Sequence, residues 1–526
     1  MAASEVMDEI VDGREIHASR CGGIPHPADR LPVMSSPSVP SPQADDPFDG
    51  RHVHLLGIGG SGMNGLARIM LDRGARCSGA DAQGSEVVDA LRTTGIPVST
   101  GQDPEAAHLP DACDLVVASA AIPPDHPVRT LAASRGIPVL SYAEGIGLAM
   151  AGRTGVSIAG THGKSTTTSM LAHILVRSGI DPSFIAGAHC PQLGGGWRVG
   201  AASVEQGSER RPGVFVAEAC EFNRSFHHHR PTIALVNNVE EDHLDFYGSI
   251  DEIVESFRGF AGLLPAAEDG GRLLIAHEGA HRREITAGID CEVATFGFSP
   301  GADFQVFLDA KAGRMGLLEN GAWLASWDTR LAGEHNALNA GAAAVLAHWL
   351  GVDWDDVAAA LADFEGVDRR MQRLGEVATR DGGRAVVIDD YGHHPSECEA
   401  TLRALRTSMA PRRLICVFQP HQHSRTRFLL DQFAHAFGQA DLVLVPEIFF
   451  VRDSEEERRR ISAADLVDRL REQGTHAMHA HPFAAIVEHL EEVLQDDDLV
   501  VVMGAGPVWR IGRDLVDRGT HSERSS

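Results

Sequence analysis

The sequence predicts an α/β protein with three α/β domains in series, and three features of the chain point that way. Apolar strands run into glycine-rich turns that open helices at HVHLLGIGGSGMNGLARIMLDRG and again at TGVSIAGTHGKSTTTSMLAHILVRSG. A third stretch alternates AVVIDDYG, RLICVFQP, DLVLVPEIFF and LVVVMGAG with helical patterns. Apolar runs without polar alternation suit strands buried on both faces of a parallel sheet, with helices as the crossovers. At 526 residues the chain also exceeds what one core fills, since domains run to roughly 100–200 residues.

Residues 1–50, ending SSPSVPSPQADDPFDG, are rich in Pro, Ser and Asp without periodicity and are expected to form a disordered tail. The N-terminal unit, 51–150, opens with a strand from Val53 to Ile58, and RCSGAD, LVVASAAI and IPVLSY add three more, giving a Rossmann-like alternation. The central unit, 151–365, opens with a strand from Gly155 to Ala159 and a phosphate-type loop, as in a P-loop ATPase-type domain. VFVAEA and TIALVNNV add buried strands there, DFQVFLDAKAGRMGLLENGAWLASWDTRL reads as hairpins, and HNALNAGAAAVLAHWLG reads as a helix. The last unit, 366–520, starts near GVDRRMQRLGE and is again Rossmann-like.

Composition narrows the function. A net charge of −27 without basic blocks argues against a nucleic-acid surface. No apolar run reaches the ~18 residues of a membrane span, and MAASEVMDEIVDG carries acids where a secretion signal needs cations. A cytoplasmic protein with no membrane insertion is expected. The eight cysteines lie far apart with no CxxC pair, so they are expected to be reduced and structural. Among 46 basic residues only Lys164 and Lys311 are lysine, and Lys164 stands inside GTHGKSTT, where a slim point charge follows phosphates better than a guanidinium fork.

Five segments carry chemistry. Gly57, Gly59 and Gly62 form G-x-G-x-x-G between strand and helix, with Asp81 ending the next strand; this is either a diphosphate site or a turn needed only for tight packing. In GTHGKSTT, residues 160–167, backbone N–H groups, Lys164 and a helix N-terminus converge on one anion, and Ser165 can offer a hydroxyl to magnesium. Glu218 and Glu221, then Glu240, Glu241, Asp242 and His243, follow strands whose carboxyl ends lie beside that loop; they read as metal ligands or as a solvated acidic loop. His227, His228 and His229 are consecutive and point in different directions, which favours a surface role. Finally, DDYGHHPSE (389–397) and FQPHQHSRTR (418–427) place histidines beside arginines at strand ends, as carboxylate or acyl-phosphate recognition or as structural histidines.

In the order GIGGSGMNGLA, GTHGKSTT, AEACE, NNVEEDH, GEHNALNAGAA, GVDRRMQ, DDYGHHPSE and FQPHQHSRTR, the chain resembles the bacterial Mur ligases over about residues 52–515. GTHGK, YGHHP and FQPH resemble the branch that adds L-alanine to UDP-N-acetylmuramate, and its near relative that attaches a recycled tripeptide to the same sugar nucleotide. The resemblance implies peptidoglycan precursor synthesis by an ATP- and Mg²⁺-dependent ligase, monomeric or weakly homodimeric. It implies ATP contacts from Gly160, Thr161, His162, Gly163, Lys164, Ser165 and Thr166, with Asn336 and Asn339 at the adenine, Arg370 near the phosphates and Asp390 at the ribose. Ser165 and Glu218 would hold one Mg²⁺ and His243 a second. Tyr391, His393, His421 and Arg425 would border the alanine and the acyl phosphate, and Gly57, Gly59, Gly60, Gly62 and Asp81 would cradle UDP.

Two departures stand out: EACEFN replaces the family's usual EADESD, and Gln422 stands where an arginine commonly follows the histidine of FQPH. An NAD-dependent oxidoreductase would use the first glycine motif but leaves GTHGKS and the C-terminal motifs unexplained. A non-catalytic UDP-sugar sensor would not need the ATP and magnesium residues.

Overall fold

Segments of Val, Ile, Leu and Ala without polar alternation have no solvent face, so they assemble into sheets covered on both sides by helices. The computed structural model describes residues 46–101, 108–206, 209–451 and 453–523. Among these residues three large sheets build the expected series of α/β domains.

The first sheet is parallel throughout, in the order Val98–Thr100, Arg76–Asp81, His52–Leu56, Leu115–Ala118, Val139–Ser141. Strand order reverses beside His52–Leu56, which sets the following glycine turn at the crevice where open α/β sheets bind ligands. Val98–Thr100 is absent from the sequence reading because three residues after a Gly-Ile-Pro turn show no pattern long enough to read.

The second sheet has ten strands among the described residues. Its parallel centre runs Glu292–Gly297, Arg272–Ala276, Ile233–Val236, Thr154–Ala159, Val214–Glu218, Ser183–Cys190. The expected hairpins are the antiparallel strands Phe304–Asp309, Arg314–Glu319 and Ala322–Asp328. Helices Lys164–Arg177 and Glu334–Trp349 pack together over this sheet, and the buried alanines 340, 342, 343, 344 and 347 allow the close approach. The third sheet orders Gln372–Ala378, Arg384–Asp390, Asp498–Met503, Arg413–Phe418, Leu442–Val445, Ala477–His479, with only the first strand antiparallel.

The expected tail ends earlier than residue 50. Phe48 is fully buried in the N-terminal core, Arg73 lies over its ring at 5.1 Å, and Asp46 pairs with Arg73 at 2.6 Å. A lone Phe between Pro and Asp has no periodic neighbour by which a sequence reading could place it. Residues 1–45 of the expected tail lie outside the described residues. No helix among the described residues is long and apolar enough to cross a membrane.

Candidate active site

GTHGK leaves the strand Thr154–Ala159 and enters the helix Lys164–Arg177 through Gly163, whose φ of +82° is left-handed. A side chain there would run into Asn339. The NNVEEDH segment braces the loop: Thr161 N donates to Asn238 O at 3.0 Å and His162 N to Asn238 Oδ1 at 2.7 Å. No side chain caps the helix, so its first N–H groups and its dipole offer themselves to an anion. Below them Thr167 Oγ1 donates to Gly163 O at 2.9 Å and accepts from Asn237 Nδ2 at 3.2 Å.

Lys164 Nζ donates to the carbonyls of Gly160 (2.6 Å) and Thr161 (3.0 Å) and lies 3.0 Å from Glu221 Oε2. Ser165 Oγ donates to Glu218 Oε2 at 2.7 Å, and the same oxygen accepts from Gly187 N at 2.7 Å. Glu221, Asp242 and His243 bring one donor atom each to within 4.8 Å of one another. A hydroxyl and three carboxylates are hard oxygen donors that suit Mg²⁺, with one borderline imidazole beside them, so the residues present fit the implied ion. Burial holds the His243 pKa below its ordinary value despite Asp242 and Glu221, which leaves the ring neutral and able to bind a cation.

From the C-terminal domain, Arg370 donates to Glu397 Oε1 at 3.1 Å. It is presented by a turn in which Arg369 (φ +61°) and Met371 (φ +49°) are both left-handed. Asp390 accepts from Met371 N (2.8 Å) and Gly392 N (2.7 Å), and burial raises its pKa to about 6. Arg369 and Arg370 lie over the Tyr391 ring at 4.9 and 5.2 Å. The His393 ring is 5.7 Å from that of His421, and burial lowers the His393 pKa to about 3. Arg425 donates to Asp242 Oδ1 from Nε (3.0 Å) and Nη2 (2.8 Å), while its Nη1 lies 3.3 Å from His421 Nδ1.

His162 joins the two domains. Its ring nitrogens lie 3.4 Å from Glu240 and 3.4 Å from Glu397, and its ring sits 4.7 Å from that of His394. Burial alone would lower its pKa, but the two carboxylates outweigh burial and raise it to about 9. Two adjoining cavities result. One of about 180 Å³ is lined by Thr166, Asn336, Asn339, Arg370 and Asp390. The other, of about 560 Å³, is lined by Thr161, Lys164, Ser165, Glu218, His243, Tyr391 and His393. His162, Gly163, Arg370 and Glu397 border both.

Three family models span this arrangement. One for the Mur ligase family, catalytic domain, matches residues 52–154; one for the Mur ligase middle domain matches 158–347; and one for the Mur ligase, glutamate ligase domain, matches 369–506. This chain belongs to the Mur ligase family. The UDP-N-acetylmuramate–L-alanine ligase of Acidothermus cellulolyticus is 40% identical over 459 residues, covering 86% of this chain and 91% of its own. That of Lachnospira eligens is 37% identical over 471 residues, covering 88% and 98%. A crystal structure of UDP-N-acetylmuramate-alanine ligase from Thermotoga maritima, 23% identical, shares the fold with a TM-score of 0.69 over 90% of this chain and 99% of that one.

In this Mur ligase the residues expected at ATP, all but Gly160, line one or both of the two cavities, whereas Gly57, Gly59, Gly60, Gly62 and Asp81 line neither. They sit in the N-terminal domain, where Gly59 N donates to Asp81 Oδ2 at 2.8 Å and a side chain at Gly62 would run into the Tyr142 hydroxyl. Arg425 is nearly buried behind the larger cavity instead of standing free in it. The sequence does not single out Glu397, Asn237 or Asn238; Glu397 falls in the first turn of the helix Pro395–Met409, where an acid can turn back to the preceding backbone, and its Oε2 accepts from His393 N at 3.0 Å. The surface role expected for the three histidines holds only for His228, which is exposed. His229 is buried 3.0 Å from Ser157 Oγ, and His227 Nε2 donates to Ser256 O at 2.7 Å, because alternate residues of the turn face the core.

Proposed function

We infer that this Mur ligase joins L-alanine to the lactyl carboxylate of UDP-N-acetylmuramate, with ATP cleaved to ADP and phosphate, in peptidoglycan precursor synthesis. What carries the reading is one cavity lined both by Lys164 of the phosphate loop and by Tyr391 and His393 of the C-terminal domain. Phosphoryl transfer to a carboxylate and attack by an amine on the same carbon need those two groups within one enclosure.

A carboxylate oxygen attacks the γ-phosphorus, ADP leaves, and an acyl phosphate forms. The amine nitrogen of alanine then attacks the acyl carbon, phosphate departs with the C–O bond electrons, and the nitrogen loses a proton. Both anions of the first step repel, and Lys164 with the helix N-terminus would offset this without reorganising. Ser165 and Glu218 would hold one Mg²⁺, and His243 with Glu221 and Asp242 a second, adding positive charge beside the phosphate oxygens when bound. Asn336 and Asn339 would lie at the adenine, Asp390 at the ribose and Arg370 near the phosphates. The glycines at 57, 59, 60 and 62, with Asp81, would take the UDP.

Asp242 occupies Nε and Nη2 of Arg425 and His421 Nδ1 lies 3.3 Å from Nη1, so only the second N–H of Nη1 would be left to reach the alanine carboxylate. Free cysteines and phosphorylated substrates fit a cytoplasmic enzyme, acting as a monomer or weak homodimer. Mass spectrometry of the product made from ATP, UDP-N-acetylmuramate and a mixture of amino acids with an L-Ala-containing tripeptide tests the reading. An alanine adduct is expected; a preferred tripeptide adduct would move the enzyme to the recycling branch, and no adduct would reject ligation.

A further inference from the structure

Away from the active site, a second set of metal-binding side chains converges at the carboxyl ends of two neighbouring strands. Leu442–Val445 and Ala477–His479 run parallel with Val445 opposite His479. Glu447 follows Val445 by two residues and His481 follows His479 by two. Residues two apart in extended chain point the same way, so the two imidazoles share a side, their rings 5.1 Å apart. His479 Nε2 and His481 Nε2 lie 3.3 and 3.7 Å from Glu447 Oε1, and the three donor atoms fall within 4.8 Å of one another. Ligand atoms around tetrahedral Zn²⁺ with ~2.0–2.1 Å bonds stand about 3.3 Å apart, so small side-chain rotations would complete the geometry.

A second observation points to a ligand. His479 Nε2 is shielded from solvent, and although Glu447 Oε1 lies 3.3 Å away it makes no hydrogen bond among the described residues, which leaves its lone pair or proton unsatisfied. The Glu447 and His481 side chains, 62% and 57% exposed, leave an entry path and room for water as a fourth ligand.

We propose that Glu447, His479 and His481 form a Zn²⁺ site on the C-terminal domain. Two imidazoles and one carboxylate select a transition metal over Mg²⁺, which prefers oxygen. The site is separate from the ATP cavities, whose linings include none of the three. It is nevertheless tied to them: Glu447 O accepts from Gln419 Nε2 at 3.1 Å, and Phe449, two residues on, stacks on His421 at 5.7 Å. An ion held there stiffens the turn behind His421.

Calorimetric titration with Zn²⁺ in excess Mg²⁺ tests this on the full chain, on His479→Ala/His481→Ala, and on Glu447→Gln as a milder second variant, with far-UV circular dichroism confirming the fold. Wild type is expected to bind one more equivalent than the double variant, and Glu447→Gln to weaken that equivalent on the order of tenfold, the size even outer-shell changes cause. Co²⁺ in place of Zn²⁺ should give the visible absorption of a four-coordinate ion, absent from the double variant. Zn²⁺ stoichiometry and a Co²⁺ spectrum unchanged in both variants would overturn the site.

Discussion

The ammonium of Lys164 lies 3.0 Å from Glu221 Oε2, with the two side chains only 12% and 5% exposed. EACEFN departs from the family's usual segment on both sides of this glutamate, at Cys220, Phe222 and Asn223, yet Glu221 stands between the phosphate loop and His243, 3.9 Å from His243 Nε2. Burial alone would push the Lys164 pKa down; Glu221 outweighs it and holds the ammonium protonated. Each charge depends on the other, since a buried charge left alone costs several kcal/mol.

Lys164→Met should therefore do two separable things. Phosphate release dependent on sugar nucleotide should fall by on the order of 10²-fold or more, as when one charge-assisted contact to a transition state is removed. Thermal stability should also fall, and adding Glu221→Gln should restore the stability but not the activity. Normal turnover by a folded Lys164→Met protein would reject the assignment.

His162 makes the join between the central and C-terminal domains pH-dependent. Its folded pKa of about 9 exceeds the ~6.5 of an unfolded histidine, so folding favours the proton. The stabilisation is full below pH ~6.5 and is lost as pH rises through 9. Denaturant unfolding of the wild type and His162→Gln without nucleotide should differ by at most about 3 kcal/mol at pH 6, at 1.36 kcal/mol per pKa unit, and converge near pH 9–10. A difference that grows with pH would contradict the pairing with Glu240 and Glu397.

Arg425→Ala should cost more than the alanine contact alone. It strands Asp242, whose carboxyl Arg425 holds well below the usual range against the upward push of burial. Breaking such a pair costs about 3–5 kcal/mol. A double-mutant cycle with Asp242→Asn should recover part of the stability, while kcat/KM for alanine stays low in every variant lacking Arg425. Additive stability losses would mean the pair is not coupled.

Strand–glycine–helix junctions made the loops legible, because their pattern is local: Gly57, Gly163 and Lys164 fall where the sequence places them. Partners supplied from distant segments were not. Asp242 and Arg425 are 183 positions apart, and Asn237 meets Asn339 across 102. The left-handed turn at Arg369 and Met371 was equally hidden, since neither is a glycine. Composition marked residues 46–50 as tail because polar neighbours conceal the one apolar anchor, Phe48.

Truncation separates that anchor from the rest. Deleting residues 1–45, which carry no periodic apolar pattern, should leave kcat unchanged. Deleting through Gly50 also removes the fully buried Phe48 and the Asp46–Arg73 pair, and should lower stability by about 3–5 kcal/mol, the range for losing a core aromatic. Equal melting temperatures for the two truncations would show that Phe48 adds nothing, and a large drop in kcat from the shorter deletion would reveal a role for the segment before Asp46.

Asp81 tests how the N-terminal glycine turn takes its ligand. Its Oδ2 accepts from Gly59 N at 2.8 Å and its Oδ1 from Gln83 N at 3.2 Å, so the carboxylate already braces the turn. Gly59 leaves no space to spare, since a side chain there would approach Asp81 Oδ2 to 2.9 Å. Asp81→Asn keeps the shape but can present an N–H where Gly59 N needs an acceptor, loosening the loop that would hold the diphosphate. The KM for UDP-N-acetylmuramate should rise about tenfold, the equivalent of 1.4 kcal/mol, while the KM values for ATP and alanine change little, because on the proposed function those sites would lie in the other two domains. A rise confined to the ATP term would place the sugar nucleotide elsewhere, and no change in any KM would make the turn a packing device alone.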